Sequence, residues 1–262
     1  MSDPTAGPGP GAGAPASTDP TDPTLDDDMD FEDDEDEDED EDEEDEDEDE
    51  ELEDADLAPP PRDAALFQGM VKLQPVTAAE LIAHEQIELE TSIHVPADTA
   101  LPDLLARLDG EMADVDRLRL LAHALPVREA AWWACMAARD MLIERLAKDP
   151  RDVPPCLAVT EAWVFQPNEE NRVAARAAME AAHPTDETQL CAMVVCFSDG
   201  RLGPGELQQF PAPPQAAALA VFALQMKSMC LVPEKAVARA AVLVERGLDI
   251  ARGGDGVHTM EG

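Results

Sequence analysis

Twenty consecutive carboxylates run from Glu32 to Glu51, and no packed core can hold such a run. Between Asp26 and Asp56, 27 of 31 residues are acidic. Like-charge repulsion extends this stretch, and its few apolar residues bury too little surface to offset the entropy of ordering. Residues 1–25 are Pro, Gly, Ala, Ser and Thr with scattered Asp, the composition of a flexible linker. Leu57-Ala-Pro-Pro-Pro-Arg62 then marks the exit, because three prolines remove backbone donors and favour an extended spacer. The sequence therefore predicts two parts: a disordered Pro/Gly-rich and polyacidic tail over 1–62, and a folded body over 63–262. Of the 59 acids in the chain, 30 lie in residues 1–56, where Lys and Arg are absent. Residues 57–262 carry the other 29 acids and all 18 bases, so most of the formal charge of -41 belongs to the tail.

The body is long enough for one domain with a sizeable core. It has 38 alanines, five isoleucines and no tyrosine, with no sustained period-two alternation, which predicts an all-α fold. Helix starts are legible. Thr77-Ala-Ala-Glu80 has the form of a capping box, Pro126 suits a first helical position, Asn168 precedes Glu169 and Glu170, and Pro233 precedes Glu234. The spacing predicts helices over 77–91, 98–108, 111–124, 126–148, 155–165, 169–182, 186–197, 213–229 and 233–252. These nine make an Ala-rich bundle, layered or orthogonal. No repeat of 34 or 40 residues aligns through the body, which argues against a solenoid.

Several classes are disfavoured by composition. Cys135, Cys156, Cys191, Cys196 and Cys230 are odd in number, sit in apolar stretches and form no Cys-x-x-Cys pair, a pattern of buried thiols rather than a disulfide framework or zinc site. The start lacks a basic segment and an apolar run of signal-peptide type. The longest apolar runs, 130–138 and 216–224, are about half a membrane span. The expectation is a cytoplasmic protein with no membrane partner. Direct nucleic-acid binding is disfavoured too, because phosphate contacts require Lys and Arg.

The least generic segment is Leu121 to Arg139. Winding the helix over 126–148 at about 100° per residue puts Ala131, Cys135, Ala138, Leu142 and Leu146 on one face, extended by Trp132, Met136 and Ile143. Trp132, Cys135 and Leu142 are accordingly expected in the structural core. Trp133 falls on the meridian of Glu129, Asp140 and Glu144, which predicts a wet side. Two readings stay open for it: another helix of the body covers it, or it is an exposed aromatic anchor for a partner. Arg128 and Arg139, three turns apart beside the apolar face, need carboxylates or an anion. Either acids of the body pair with them or, with Trp133, they form a partner-binding site. Arg172 and Arg176 raise the same question, with Glu169 and Glu180 at hand on their own helix.

Ala122-His-Ala-Leu-Pro-Val-Arg-Glu-Ala-Ala-Trp-Trp-Ala-Cys135, Ala162-Trp-Val with Pro167 and Arg172, Phe197-Ser-Asp-Gly-Arg-Leu-Gly-Pro204 and Gly247-Leu-Asp-Ile-Ala251 together resemble an uncharacterised bacterial all-helical family associated with type VI secretion gene clusters. The resemblance covers roughly 70–262 and is most specific at Arg-Glu-Ala-x-Trp-Trp-Ala. A Gly-Gly-Ser-Leu-Ala-Pro loop of that family is replaced here by Asp199-Gly-Arg-Leu-Gly-Pro204. It implies an accessory role near a secretion apparatus and no particular activity.

Catalysis finds little footing. His84-Glu-Gln-Ile-Glu88 has Glu where a zinc helix needs its second imidazole, so it reads as a solvated face and no metal is expected. Gly200-x-x-Gly203-x-Gly205 follows no strand and contains Pro204, which a phosphate-binding nest would not tolerate. No catalytic residue and no cofactor is assigned. The sequence thus points to a nonenzymatic adaptor that docks a protein, either a secretion component or a basic cargo, with oligomeric state open. The alternative is an acidic-tail chaperone or mimic that binds basic nucleic-acid-binding proteins through long-range attraction.

Overall fold

The computed structural model describes residues 64–146 and 152–257; the acidic tail and its expected disorder lie outside them. Among the described residues the chain forms nine α-helices with no strand, only isolated antiparallel bridges at Thr77 with Ala100 and Arg201 with Pro211. The helices are α1 (Ala78–Glu85), α2 (Leu101–Gly110), α3 (Asp114–Ala124), α4 (Val127–Leu146), α5 (Pro155–Phe165), α6 (Glu169–Ala181), α7 (Gln189–Cys196), α8 (Ala216–Met229) and α9 (Ala236–Arg252). All nine expected helices are present, so the body is an all-α bundle.

Side-chain caps mark two of the helix starts. The capping box at α1 is formed: Glu80 N donates to Thr77 Oγ1 at 3.2 Å, and Thr77 N donates to Glu80 Oε2 at 2.9 Å. Asn168 caps α6 by accepting from Asn171 N at 2.9 Å. Six ends differ from expectation by three residues or more: α2, α3, α7, α8 and α9 start three residues late, and α1 stops early. Helix α1 stops at Glu85 instead of running to 91, because Gln86 turns into the left-handed region at φ 49° and closes on Ile82. Helix α7 begins at Gln189 instead of 186, because the chain before it turns on i→i+3 bonds, Gln189 N to Asp186 O and Leu190 N to Glu187 O at 3.2 Å each, with the Asp186 carboxylate accepting from Thr188 N at 3.0 Å and Thr188 Oγ1 at 2.6 Å.

Helix α4 runs through the middle of the bundle, packed against α5, α7, α8 and α9. Every residue from Trp133 to Ala138 is buried, and the small side chains among them let four neighbours approach closely. Helix α3 lies against α2, α8 and α9, while α6 covers α5 and α7. One close meeting of helices is at Gly247 of α9. A Cβ there would lie 3.0 Å from Leu121 Cδ1 and 3.1 Å from Trp133 Cζ2, so only glycine fits without movement.

Charged clips complete the frame. Arg117, 2% exposed, pairs with Asp109 and Asp114 and ties α2 to α3. Asp116, also buried, accepts from Glu90 N at 2.8 Å and Thr91 N at 2.7 Å, which fastens the loop after α1 to α3. The two ends of the described body meet. Lys72 N donates to Ala251 O at 2.9 Å, and Arg252 Nη1 donates to Leu66 O at 2.7 Å.

All five thiols are free, and four are buried. Burial pushes Cys156 and Cys196 up to about 11 and Cys135 well above its ordinary value, which keeps them protonated and unreactive. Among the described residues no single helix is long and apolar enough to cross a membrane.

Candidate interaction surface

Of the two readings open for Trp133, the structure takes the first: another helix of the body covers it. Trp133 is fully buried, and its indole N–H donates to Leu243 O of α9 at 3.0 Å. It is a core residue, and its assignment as a partner-docking anchor is corrected. The physical reason lies in the acids that share its meridian. Asp140 accepts from Arg239 Nη1 at 3.1 Å and Arg246 Nη1 at 2.5 Å, and Glu144 pairs with Arg239 and Lys235. Those carboxylates face α9 and its entry turn, not bulk water. Glu129 pairs with Lys72 at 3.1 Å.

Trp132 instead sits half-buried at the rim. Its indole N–H donates to Asp255 O at 2.8 Å, and its ring packs at a 60° tilt on Phe165, with centroids 6.3 Å apart. Phe165, at the end of α5, is 72% exposed. A shallow cleft of about 230 Å³ beside them is bordered by Lys72, Arg128, Glu129, Trp132, Val164 and Gly253. Val71, 77% exposed, stands next to Gly253, and exposed Val257 follows Asp255 by two residues. An oriented aromatic pair is thus ringed by further apolar groups and by charges of both signs. Trp132, expected in the structural core, packs against it while half-buried at the rim, because its indole reaches the chain beyond α9 and its ring faces the end of α5.

The other expected site residues divide. Arg128 is exposed, its Nε donating to Val164 O at 2.7 Å, and it borders the cleft. Arg139 does not join it. Its Nε and Nη2 grip Glu161 Oε1 and Oε2 at 2.5 and 2.7 Å, a two-pronged clasp of α4 on α5. Cys135 is buried as expected, and Leu142 packs on the core while half-buried. Arg172 is held by Glu169 and Asp199 at 2.8 Å each, and Arg176 by Glu180 at 2.6 Å. The Asp199 loop is therefore anchored to α6.

Phe165 carries no signal in the sequence, since an apolar residue at a helix end reads as core, and Val71 lies in a turn where a lone valine is unremarkable. His84 is well exposed, and its neighbour Glu85 reaches inward to buried His123. Among the described residues no group of three or more His, Cys, Asp and Glu is placed to hold a metal ion.

Comparison with known proteins finds no match among curated proteins and none among solved structures. A family model does match, over residues 104–251, from α2 to the end of α9 and including both tryptophans, Gly247 and the Asp199 loop. The chain belongs to that family, described as a family of unknown function (DUF6931).

Proposed function

We propose that this protein is a nonenzymatic adaptor of a bacterial, type VI-like secretion locus, working in the cytoplasm and docking a protein partner on the surface around Trp132 and Phe165. The observation that carries the reading is the exposed aromatic pair. Burying Phe165 at 72% exposure would be favourable for any partner. Trp132 is already fixed by its bond to Asp255, so little side-chain entropy is lost when a partner covers it. Arg128 at the rim supplies a charge for orientation. The link to secretion rests on the resemblance of the Arg128-Glu-Ala-x-Trp-Trp-Ala segment, and the acidic tail serves to keep the complex soluble or to screen a basic cargo.

Recovery of partners from the native host tests it. The full chain should retain a defined protein that Phe165→Glu and Arg128→Glu release, with melting of both variants unchanged. Equal retention by all three proteins would reject this surface. A second reading, in which the tail is the active element and captures basic nucleic-acid-binding proteins, is favoured by the run from Glu32 to Glu51. Under it, binding disappears in residues 63–262 alone and falls steeply as salt rises from about 50 to 500 mM.

A further inference from the structure

The surface around Trp132 and Phe165 carries a charge at each end of its aromatic pair. Arg128 stands one turn before Trp132 on α4, and its Nε donates at 2.7 Å to the carbonyl of Val164, the residue before Phe165. Asp255 lies beyond the indole, whose N–H donates to its backbone oxygen at 2.8 Å. The order along the surface is therefore Arg128, Phe165, Trp132, Asp255. Both charged residues are exposed. Among the described residues no carboxylate pairs with Arg128, and no cation pairs with Asp255, whose carboxylate accepts from Val257 N at 3.0 Å.

That order decides between partners. A uniformly basic segment would be repelled by Arg128 and a uniformly acidic one by Asp255, so each would be opposed at one end. A surface with the same order reversed meets neither cost. A second copy turned about a two-fold axis between Phe165 and Trp132 would supply it: its Asp255 would face Arg128, its Trp132 would face Phe165, and each contact would occur twice. Self-matching interfaces of this kind are the commonest in soluble oligomers. The apolar groups suit the same arrangement, because Phe165 at 72% exposure and Val71 at 77% stand uncovered near Trp132, and offset or tilted ring pairs attract beyond the area they bury.

We propose that the protein docked on this surface is a second copy of the chain, held in a two-fold dimer by Phe165–Trp132 ring contacts and two Arg128–Asp255 ion pairs. This deepens the reading of the surface given above and rests on it. Two chains of formal charge -41 repel at long range, and a screening length of about 8 Å at about 0.15 M salt confines that repulsion.

Sedimentation equilibrium of the full chain at that salt decides the matter. Between about 1 and 200 μM the mass should climb from 28.2 kDa toward twice that value. Arg128→Asp creates two acid–acid contacts in the dimer and Asp255→Arg two base–base contacts, so each variant alone should associate about tenfold more weakly or worse. An equimolar mixture of the two variants should dimerise again, because every contact in the mixed pair joins Asp with Arg. Docking of an unrelated protein gives no such restoration. Both positions are exposed, so each variant should melt as the native chain does, and Phe165→Glu should abolish association. The proposal fails if the native chain stays monomeric, if either variant alone dimerises as the native chain does, or if the mixture stays monomeric. A monomeric chain whose host partner is still released by Phe165→Glu would overturn the self-pairing and leave the docking reading standing.

Discussion

Trp132 and Trp133 are adjacent in the chain and inhabit different physical settings. Trp133 is sealed between α4 and α9, its indole N–H spent on Leu243 and its ring against Gly247. Trp132 lies at the edge, its N–H on Asp255 in the segment after α9 and its ring against a phenylalanine that faces solvent. One step of about 100° along a helix separates them. In a helix packed on four sides, that step moves a residue from one neighbour to the next, and a stripe of carboxylates marks the next helix's arginines as readily as it marks water.

The contrast can be broken most forcefully at Trp133. Trp133→Ala should cost about 3–5 kcal/mol in chemical denaturation, the range for large buried aromatics. A cost near that of a surface change would show that the helices around it are not packed as described. Gly247→Ala tests the same contact from the other side. Overpacking against Trp133 and Leu121 should destabilise by about 1–3 kcal/mol, and a neutral result would mean that α9 shifts freely. Trp132→Phe keeps a ring but removes the donor to Asp255, with an expected loss of about 1 kcal/mol. Smallest of all, Phe165→Ser should change stability by less than about 0.5 kcal/mol, while still impairing any partner that sits on the aromatic pair. If Phe165→Ser proves as costly as Trp132→Phe, the rim is part of the core and the docking surface loses its basis.

Element existence was readable because each signal is local. Thr77 with Glu80, Asn168 before two acids, and prolines at first turns act within a few residues of themselves, and they produced helices where expected. What α4 touches was not readable. Arg239 and Arg246 stand one heptad apart on α9 and claim Asp140, yet nothing near Asp140 in sequence announces a partner about a hundred residues away. The cleft beside Trp132 is likewise assembled from Lys72, Arg128, Val164 and Gly253, four positions from separate stretches. The left-handed residue at Gln86 and the tight i→i+3 turn from Asp186 moved two helix ends for reasons that lie in a few backbone angles. Five cysteines in apolar stretches did foreshadow buried thiols, because burial of a small apolar group needs no knowledge of the neighbour.

The backbone bond from Lys72 to Ala251 and the Arg252 contact with Leu66 bring the first and last described stretches of the body together. Packing in this bundle therefore owes little to where the polypeptide is opened. A circular permutant that joins the stretch near 64 to the stretch near 257 through a short Gly/Ser bridge, with new ends in the exposed 205–211 segment between α7 and α8, retains every helix and every interhelical contact described for α4. Tolerance of that kind is general where ends lie close at the surface, and it makes this body a scaffold whose entry point can be relocated without disturbing its interior.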